Sequence, residues 1–317
     1  MEKLLKLIQN EWMKLWSRKS SWIMIILLVV ILLSSAAITK WVDDSMSASN
    51  TETWQQVEAS QMAYNSSMLE DSNLSEGQLE YFEGQVAVSE HRLENNIAPY
   101  EYNSMQQGVV ESYIMMSVVT LFTVIVAGGI VAAEFSQGTI KMLLTRPVKR
   151  WKILSSKYIA TMLYALLLAI VLFIVTALAG LIFYGVSDGT LLVWNGSEVV
   201  EGSFWLEGLK LVALSFASVW MIGTFAFMLG TVFRSSSLAI GLSIFLLFTG
   251  VQVAFLLQNY EIVKYYLFTH TDLTQFYTGN ILIPDITISM SILVLIVYFL
   301  IFMAISYWTF GKRDITA

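Results

Sequence analysis

Hydrophobic positions in this chain gather into six long blocks, with polar stretches of very different character between them. Near Trp22–Thr39, Tyr113–Ala133, Tyr158–Tyr184, Leu209–Phe233, Ser237–Leu257 and Ile286–Phe310 the sequence is almost free of charge. A helix needs about 20 apolar residues to cross a hydrocarbon core of about 30 Å, and each block supplies them. The pattern predicts an all-α integral membrane protein with six transmembrane helices. The expected spans are 21–41, 112–134, 157–185, 208–233, 236–257 and 286–310.

The polar stretches carry patterns of their own. In residues 1–20, Leu4, Leu5, Ile8, Trp12, Leu15 and Trp16 recur at helical spacing, with Lys3, Lys6, Glu11, Lys14 and Arg18 around them. That arrangement predicts an interfacial helix, tryptophans at headgroup depth and basic groups beside anionic lipid. The charged lead-in and the lack of a small-residue cleavage site argue against a signal peptide. Residues 42–111 are acidic but hold two helical stripes. Trp54, Val57, Tyr64 and Met68 form one, and Leu79, Phe82, Val86 and Leu93 the other, the second opened by a Ser75–Gln78 capping box. A helical hairpin between spans 1 and 2 is expected, its stripes packed together or against a partner chain, with "EDSNLS" as the turn and Pro99 beyond the second helix. Residues 186–207 read as a loop. Residues 258–285 read as short interfacial or re-entrant helices, because they are rich in Tyr and Phe.

Composition agrees with this class: 56% of residues are hydrophobic and 13% charged. The absence of cysteine excludes disulfides, thiolate catalysis and zinc–cysteine sites. Charge also orients the chain. All basic residues except Lys40, Arg92, Lys210 and Lys264 fall on the side of the N-terminus, whereas the only acidic residues there are Glu2, Glu11, Glu134 and Asp314. The positive-inside rule then places both termini, and the tail 311–317, in the cytoplasm of a multi-pass plasma-membrane protein.

Candidate chemistry is sparse. His91 and His270 form no ligand pair, no H-E-x-x-H occurs, and no nucleophile constellation stands out, so no catalytic or metal-binding residue is assigned and the chain is not read as an enzyme. Within the spans, Thr120, Thr123, Thr249 and Gln252 are candidates for a substrate path, or for bonding their own helix and its neighbours. Gly128–Gly129, Ala213 with Ala217, and Ser237 with Gly241 suit close helix packing. Deep charges, which mark ion-coupled pathways, are absent from the expected spans; that favours an apolar or amphipathic cargo.

The remaining stretch, residues 135–156, is both basic and apolar, more than a topology signal requires. Gly138–Thr139 allows a turn, "IKMLL" can form a short helix, and Pro147 permits a new helix from Val148 while barring helical geometry before it. In order, Glu134, Gly138, Thr139, Lys141, Leu143, Leu144, Pro147 and Arg150 resemble the segment after the second span of ABC-2 type transporter permeases, and "NEWMKLWSRKSSW" (Glu11, Lys14, Arg18) is similar to that family's opening segment. With six spans and a large outer loop after the first, the resemblance covers essentially the whole chain. It implies a coupling helix in 135–156, seated on a separate ATP-binding subunit through those residues and Arg146. It also implies a second permease copy, identical or not, and a lipid-like, drug or amphipathic peptide cargo exported at the expense of ATP. Since no G-x-x-x-x-G-K-[ST] phosphate loop occurs, ATP and Mg would be held by the partner, with no cofactor in this chain. The competing expectations are an ATP-independent carrier or channel, and a membrane sensor or assembly protein working through its acidic hairpin.

Overall fold

A computed structural model describes residues 2–46, 53–70, 74–139, 148–233 and 235–312. Six helices among them are long and apolar enough to cross a membrane. They are α2 (Lys19–Met46), a composite of α5 (Met105–Val110), a 3₁₀ turn (Glu111–Met115) and α6 (Met116–Ser136), then α7 (Arg150–Phe183), α8 (Phe204–Phe233), α9 (Ser236–Leu256) and α12 (Ile288–Lys312). Large apolar side chains cover their outer faces, among them Ile26, Leu166, Leu181, Phe245 and Leu293. An aqueous surface would not sustain that, so the chain is an all-α multi-pass membrane protein.

Glycine sets the tightest contacts of the bundle. A Cβ on Gly230 of α8 would stand 2.4 Å from the Gly128 carbonyl oxygen of α6, and one on Gly208 would stand 2.5 Å from that of Val109. Only a glycine lets the two backbones approach so closely, the small-residue packing that membrane helices favour. Gly128 thus packs as expected. The other expected pairs do not: Ala213, Ser237 and Gly241 are exposed, and the seam of α8 runs instead through Gly208, Gly223 and Gly230.

Before the spans comes α1 (Glu2–Ser17), which lies on α7 with Glu11 and Leu15 buried and Leu5 exposed. The other end of the bundle carries the expected hairpin, α3 (Trp54–Leu69) and α4 (Glu76–Asn95). Both have capping boxes, Thr53 with Gln56 and Ser75 with Gln78, which satisfy backbone amides that would otherwise be orphaned. Asn96, in the left-handed region at φ 52°, closes α4. The apolar stripes, however, are not what joins the hairpin. On α3 Val57 and Tyr64 are exposed while Asn65 is buried; on α4 the buried residues are Gly84, Val88, Ser89 and Arg92. The Ser89 hydroxyl donates to the Glu58 carboxylate at 2.8 Å, so the contact includes a polar bond.

Loop 186–207 holds an unexpected two-stranded antiparallel hairpin, β1 (Leu192–Trp194) and β2 (Val199–Glu201). Asn195 Oδ1 accepts from the amides of Ser197 and Glu198, and Gly196 takes φ 97°. Trp194 fills the place of the missing side chain at Gly84, locking the strands to α4. Between spans 5 and 6 lie a 3₁₀ turn (Glu261–Tyr265), α10 (Leu267–His270) and α11 (Gln275–Thr278), the short helices expected there. His270 is fully buried; one ring nitrogen lies 2.8 Å from the Lys264 carbonyl, to which it donates, and the other 2.8 Å from Ser291 of α12. Burial pushes its pKa below the usual histidine value, and the bond to the carbonyl opposes that only in part.

Candidate functional site: a buried ring of four charges

Helix α6 ends at Ser136, and Gly138, at φ 70°, turns the chain back on itself. Thr139 thereby comes beneath the last helical turn, where its hydroxyl donates to the Glu134 carboxylate. A carboxylate in the last turn of a helix faces the negative end of the helix dipole, so it requires nearby cations. Two lysines supply them. Lys157 Nζ of α7 lies 2.9 Å from Glu134 Oε1 and 2.9 Å from Glu11 Oε2; Lys14 Nζ lies 3.2 Å from the former carboxylate and 3.1 Å from the latter. The four side chains form a closed ring of alternating sign, joining α1, α6 and α7 at one level of the bundle.

Burial makes the ring consequential. Lys157 is 0% exposed, and Glu11 and Glu134 are buried, whereas the Lys14 side chain reaches solvent. No member can leave without stranding a charge in a poorly hydrated site, a penalty of about 3–5 kcal/mol. Chemically the ring holds no nucleophile. Its capability is mechanical: three helices must move together, or the ring must open.

Of the residues singled out in the sequence, Glu134, Gly138, Thr139 and Arg150 are described. The first three meet at the ring. Arg150 opens α7 and donates through Nη1 to the Gly311 carbonyl of α12 at 2.9 Å. Lys141, Leu143, Leu144, Arg146 and Pro147 lie outside the described residues. Of the candidate path residues, Thr120 is buried and bonds back to the Met116 carbonyl at 2.9 Å; Thr249 does the same to Phe245 at 2.8 Å. Thr123 is fully buried beside Gly223, its hydroxyl without a partner among the described residues, and Gln252 is exposed on α9. These four do not converge on one site.

Lys157 is the residue that sequence reasoning missed, and the reason is a helix boundary. Placed at the start of an expected span 157–185, it reads as one more basic flank. Because α7 begins at Arg150, it is about two turns inside the helix. A lysine followed directly by "YIATMLYALLLAI" and buried among apolar neighbours needs partners, and of the four acidic residues on that side Glu11 and Glu134 are the ones it meets.

The comparisons with known proteins relate the chain to two relatives and to one family. A 317-residue alignment at 37% identity, spanning 98% of this chain and 99% of the other, relates it to "Uncharacterized protein YhcI" of Bacillus subtilis (strain 168). "Uncharacterized membrane protein YdbK" of the same organism is 35% identical over 201 residues, 61% of this chain and 76% of that protein. The family model described as "Protein of unknown function (DUF2705)" matches residues 85–316, a stretch that contains Glu134, Lys157 and every span after the first. On that match the chain belongs to the DUF2705 family.

Proposed function

We propose that this chain is the permease subunit of an ABC-2 type transporter, working with a second permease and two separate ATP-binding subunits to export a lipid-like, drug or amphipathic peptide cargo. In this reading the basic end of the bundle faces the cytoplasm of the cell membrane, α1 lies in the inner interface, the α3–α4 hairpin stands outside, and residues 135–156 receive the ATP-binding subunit. The observation that carries the reading is the ring of charges. It ties the two ends of that segment, Glu134 just before it with Thr139 near its start and Lys157 just after it, to the amphipathic α1 that precedes span 1. A push on residues 140–149 would reach α6, α7 and α1 as one body.

The test is whether a gene for an ATP-binding cassette protein lies beside this one, and whether its product, co-expressed with the tagged chain, is captured on purification and assayed as an ATPase in proteoliposomes. Stoichiometric capture is expected. Arg146→Glu or Glu134→Lys should abolish the ATPase stimulation that the permease confers, while the chain still inserts in the membrane. ATPase coupling unchanged in both variants would overturn the assignment of the segment. Cargo movement by the purified chain alone would replace it with an ATP-independent carrier.

A further inference from the structure

Two lipid-facing stripes end side by side in the same pair of residue types, a tryptophan and a lysine. On α12, Val297, Ile301, Ile305 and Trp308 recur at spacings of four, four and three, so they share one face, and all are exposed. Lys312, four residues on, continues that face and is exposed. On α7, Leu163, Leu166 and Ile170 are exposed in one arc. Lys152 stands about three turns before Leu163 and five before Ile170, so it lies at the start of the same stripe. Its ammonium lies 5.5 Å from the ring centre of the exposed Trp151, and that of Lys312 lies 5.0 Å from the Trp308 ring. Two hydrogen bonds join these ends, Arg150 to the Gly311 carbonyl at 2.9 Å and Ser155 with the Tyr307 hydroxyl at 2.7 Å.

Depth and charge together identify the occupant. At 25 residues α12 is about 37 Å long, more than the roughly 30 Å of a hydrocarbon core, so its last turn reaches headgroup level. Tryptophan favours that level, and a lysine there lays its stem along apolar surface with the ammonium toward phosphate. Each of these two ammonium groups is steadied by a ring and not neutralised by a carboxylate. Among the described residues the ion pairs are made by Lys14, Lys40, Lys157 and Lys264, and of the four acidic residues at this end Glu11 and Glu134 are held in the ring of charges. A water-soluble partner would meet the charges but not the apolar stripes that run on from them; a phospholipid meets both. We propose that the joined ends of α7 and α12 bind an anionic phospholipid, its phosphate held by Lys152 and Lys312 and its acyl chains continuing along the two stripes. This site is independent of the transport reading, because it needs only that this end of the bundle meets a membrane surface.

Native mass spectrometry of the full-length protein in detergent, titrated with dioleoyl phosphatidylglycerol, gives the affinity of the first lipid bound. That lipid should bind about ten times or more tighter than dioleoyl phosphatidylcholine, which has the same chains and no net charge. Lys152→Gln with Lys312→Gln should remove the preference. Lys152→Arg with Lys312→Arg should keep it, which separates charge from packing, and thermal melts check that both pairs fold. Lys3→Gln with Lys19→Gln removes two exposed charges elsewhere at the same end and should change the preference less than about two-fold. An equal loss in that second pair reduces the effect to diffuse attraction and overturns the site, as does a preference that survives the two glutamines at 152 and 312. If those glutamines instead release a co-expressed ATP-binding protein and leave lipid binding unchanged, the surface belongs to that protein and the lipid assignment falls.

Discussion

Replacing Lys157 by methionine keeps the volume of its stem and removes the charge shared by Glu11 and Glu134. The two carboxylates are then left with Lys14, whose side chain is 38% exposed and partly claimed by water. One carboxyl group must either stay charged without its partner or take up a proton. From an ordinary carboxylate value near 4.3, protonation at pH 7 costs about 4 kcal/mol, at about 1.4 kcal/mol per pH unit. That matches the roughly 3–5 kcal/mol seen when one partner of a buried pair is removed. The cost shrinks with acidity to about 1 kcal/mol at pH 5. The sign follows from linkage: the folded variant holds a proton that its unfolded form has lost above pH 4.3, so its stability falls as pH rises. Thermal unfolding in detergent, followed by the fluorescence of the ten tryptophans, gives the readout. Lys157→Met should unfold roughly 5 °C or more below the parent at pH 7 and close to it at pH 5. Lys157→Met with Glu134→Gln should recover most of the loss, because Glu11 and Lys14 remain as a matched pair. A single variant that melts with the parent at pH 7, or a double variant no better than the single, would refute the buried ring.

Two further outcomes test the packing and the far end of the bundle. Gly230→Ala places a methyl group 2.4 Å from the Gly128 carbonyl, so α6 and α8 must separate; a loss of about 1–3 kcal/mol is expected in the same melts, with Gly241→Ala, which meets nothing within 4 Å, as the unaffected control. His270, with its pKa lowered by burial, binds protons more weakly folded than unfolded, so it removes stability as pH falls below its unfolded value of 6.5; melts of His270→Asn should lose that part of the slope between pH 7 and 5, and an unchanged slope would show that His270 does not titrate on unfolding.

The spans were legible because lipid imposes one rule on every residue of a crossing, and a block of 20 apolar residues obeys it without reference to any neighbour. The Ser75–Gln78 box was legible for the same reason: it is a contact between residues three apart. What failed was pairing at a distance. The stripe of α3 looked like the face that would pack on α4, yet Ser89 and Glu58 decide that contact through a hydrogen bond that no periodicity reports. The glycine seam of α8 was overlooked because Gly208, Gly223 and Gly230 follow no repeat: each is placed by what it meets, the Val109 backbone of α5, the Thr123 side chain of α6 and the Gly128 backbone of α6. The β1–β2 hairpin did carry a local signal, Asn195-Gly196 between two runs rich in β-formers, that a search confined to membrane helices passes over. The ring shows both cases at once. Glu134 could be seen from its position where an apolar block ends, whereas Lys157 became a site residue only when α7 proved to start at Arg150.

That earlier start explains more than one residue, because the first turns of α7 bind nearly everything around them. Arg150 reaches the Gly311 carbonyl and Ser155 the Tyr307 hydroxyl, both on α12. Lys157 holds α1 and α6; the hydroxyl of Tyr158 accepts from Trp220 at 2.6 Å and lies 2.9 Å from Thr224, both on α8; Tyr164 donates to the Ser21 carbonyl of α2. Within fifteen residues, one helix is hydrogen-bonded to α1, α2, α6, α8 and α12. The bonds of Lys157, Tyr158 to Thr224, and Tyr164 are buried, with no water to replace them, so these elements follow α7 when it shifts. Helix α9 differs: among the described residues its side chains bond only to its own backbone, as Ser243 does to Ala239 and Thr249 to Phe245, and it packs through the small residues Ala239, Ser243, Gly250 and Ala254. Residues 140–149 lead directly into this hub. A shift of the first turns of α7 is therefore carried by hydrogen bonds to five helical elements, whereas α9, the fifth span, is held by packing alone.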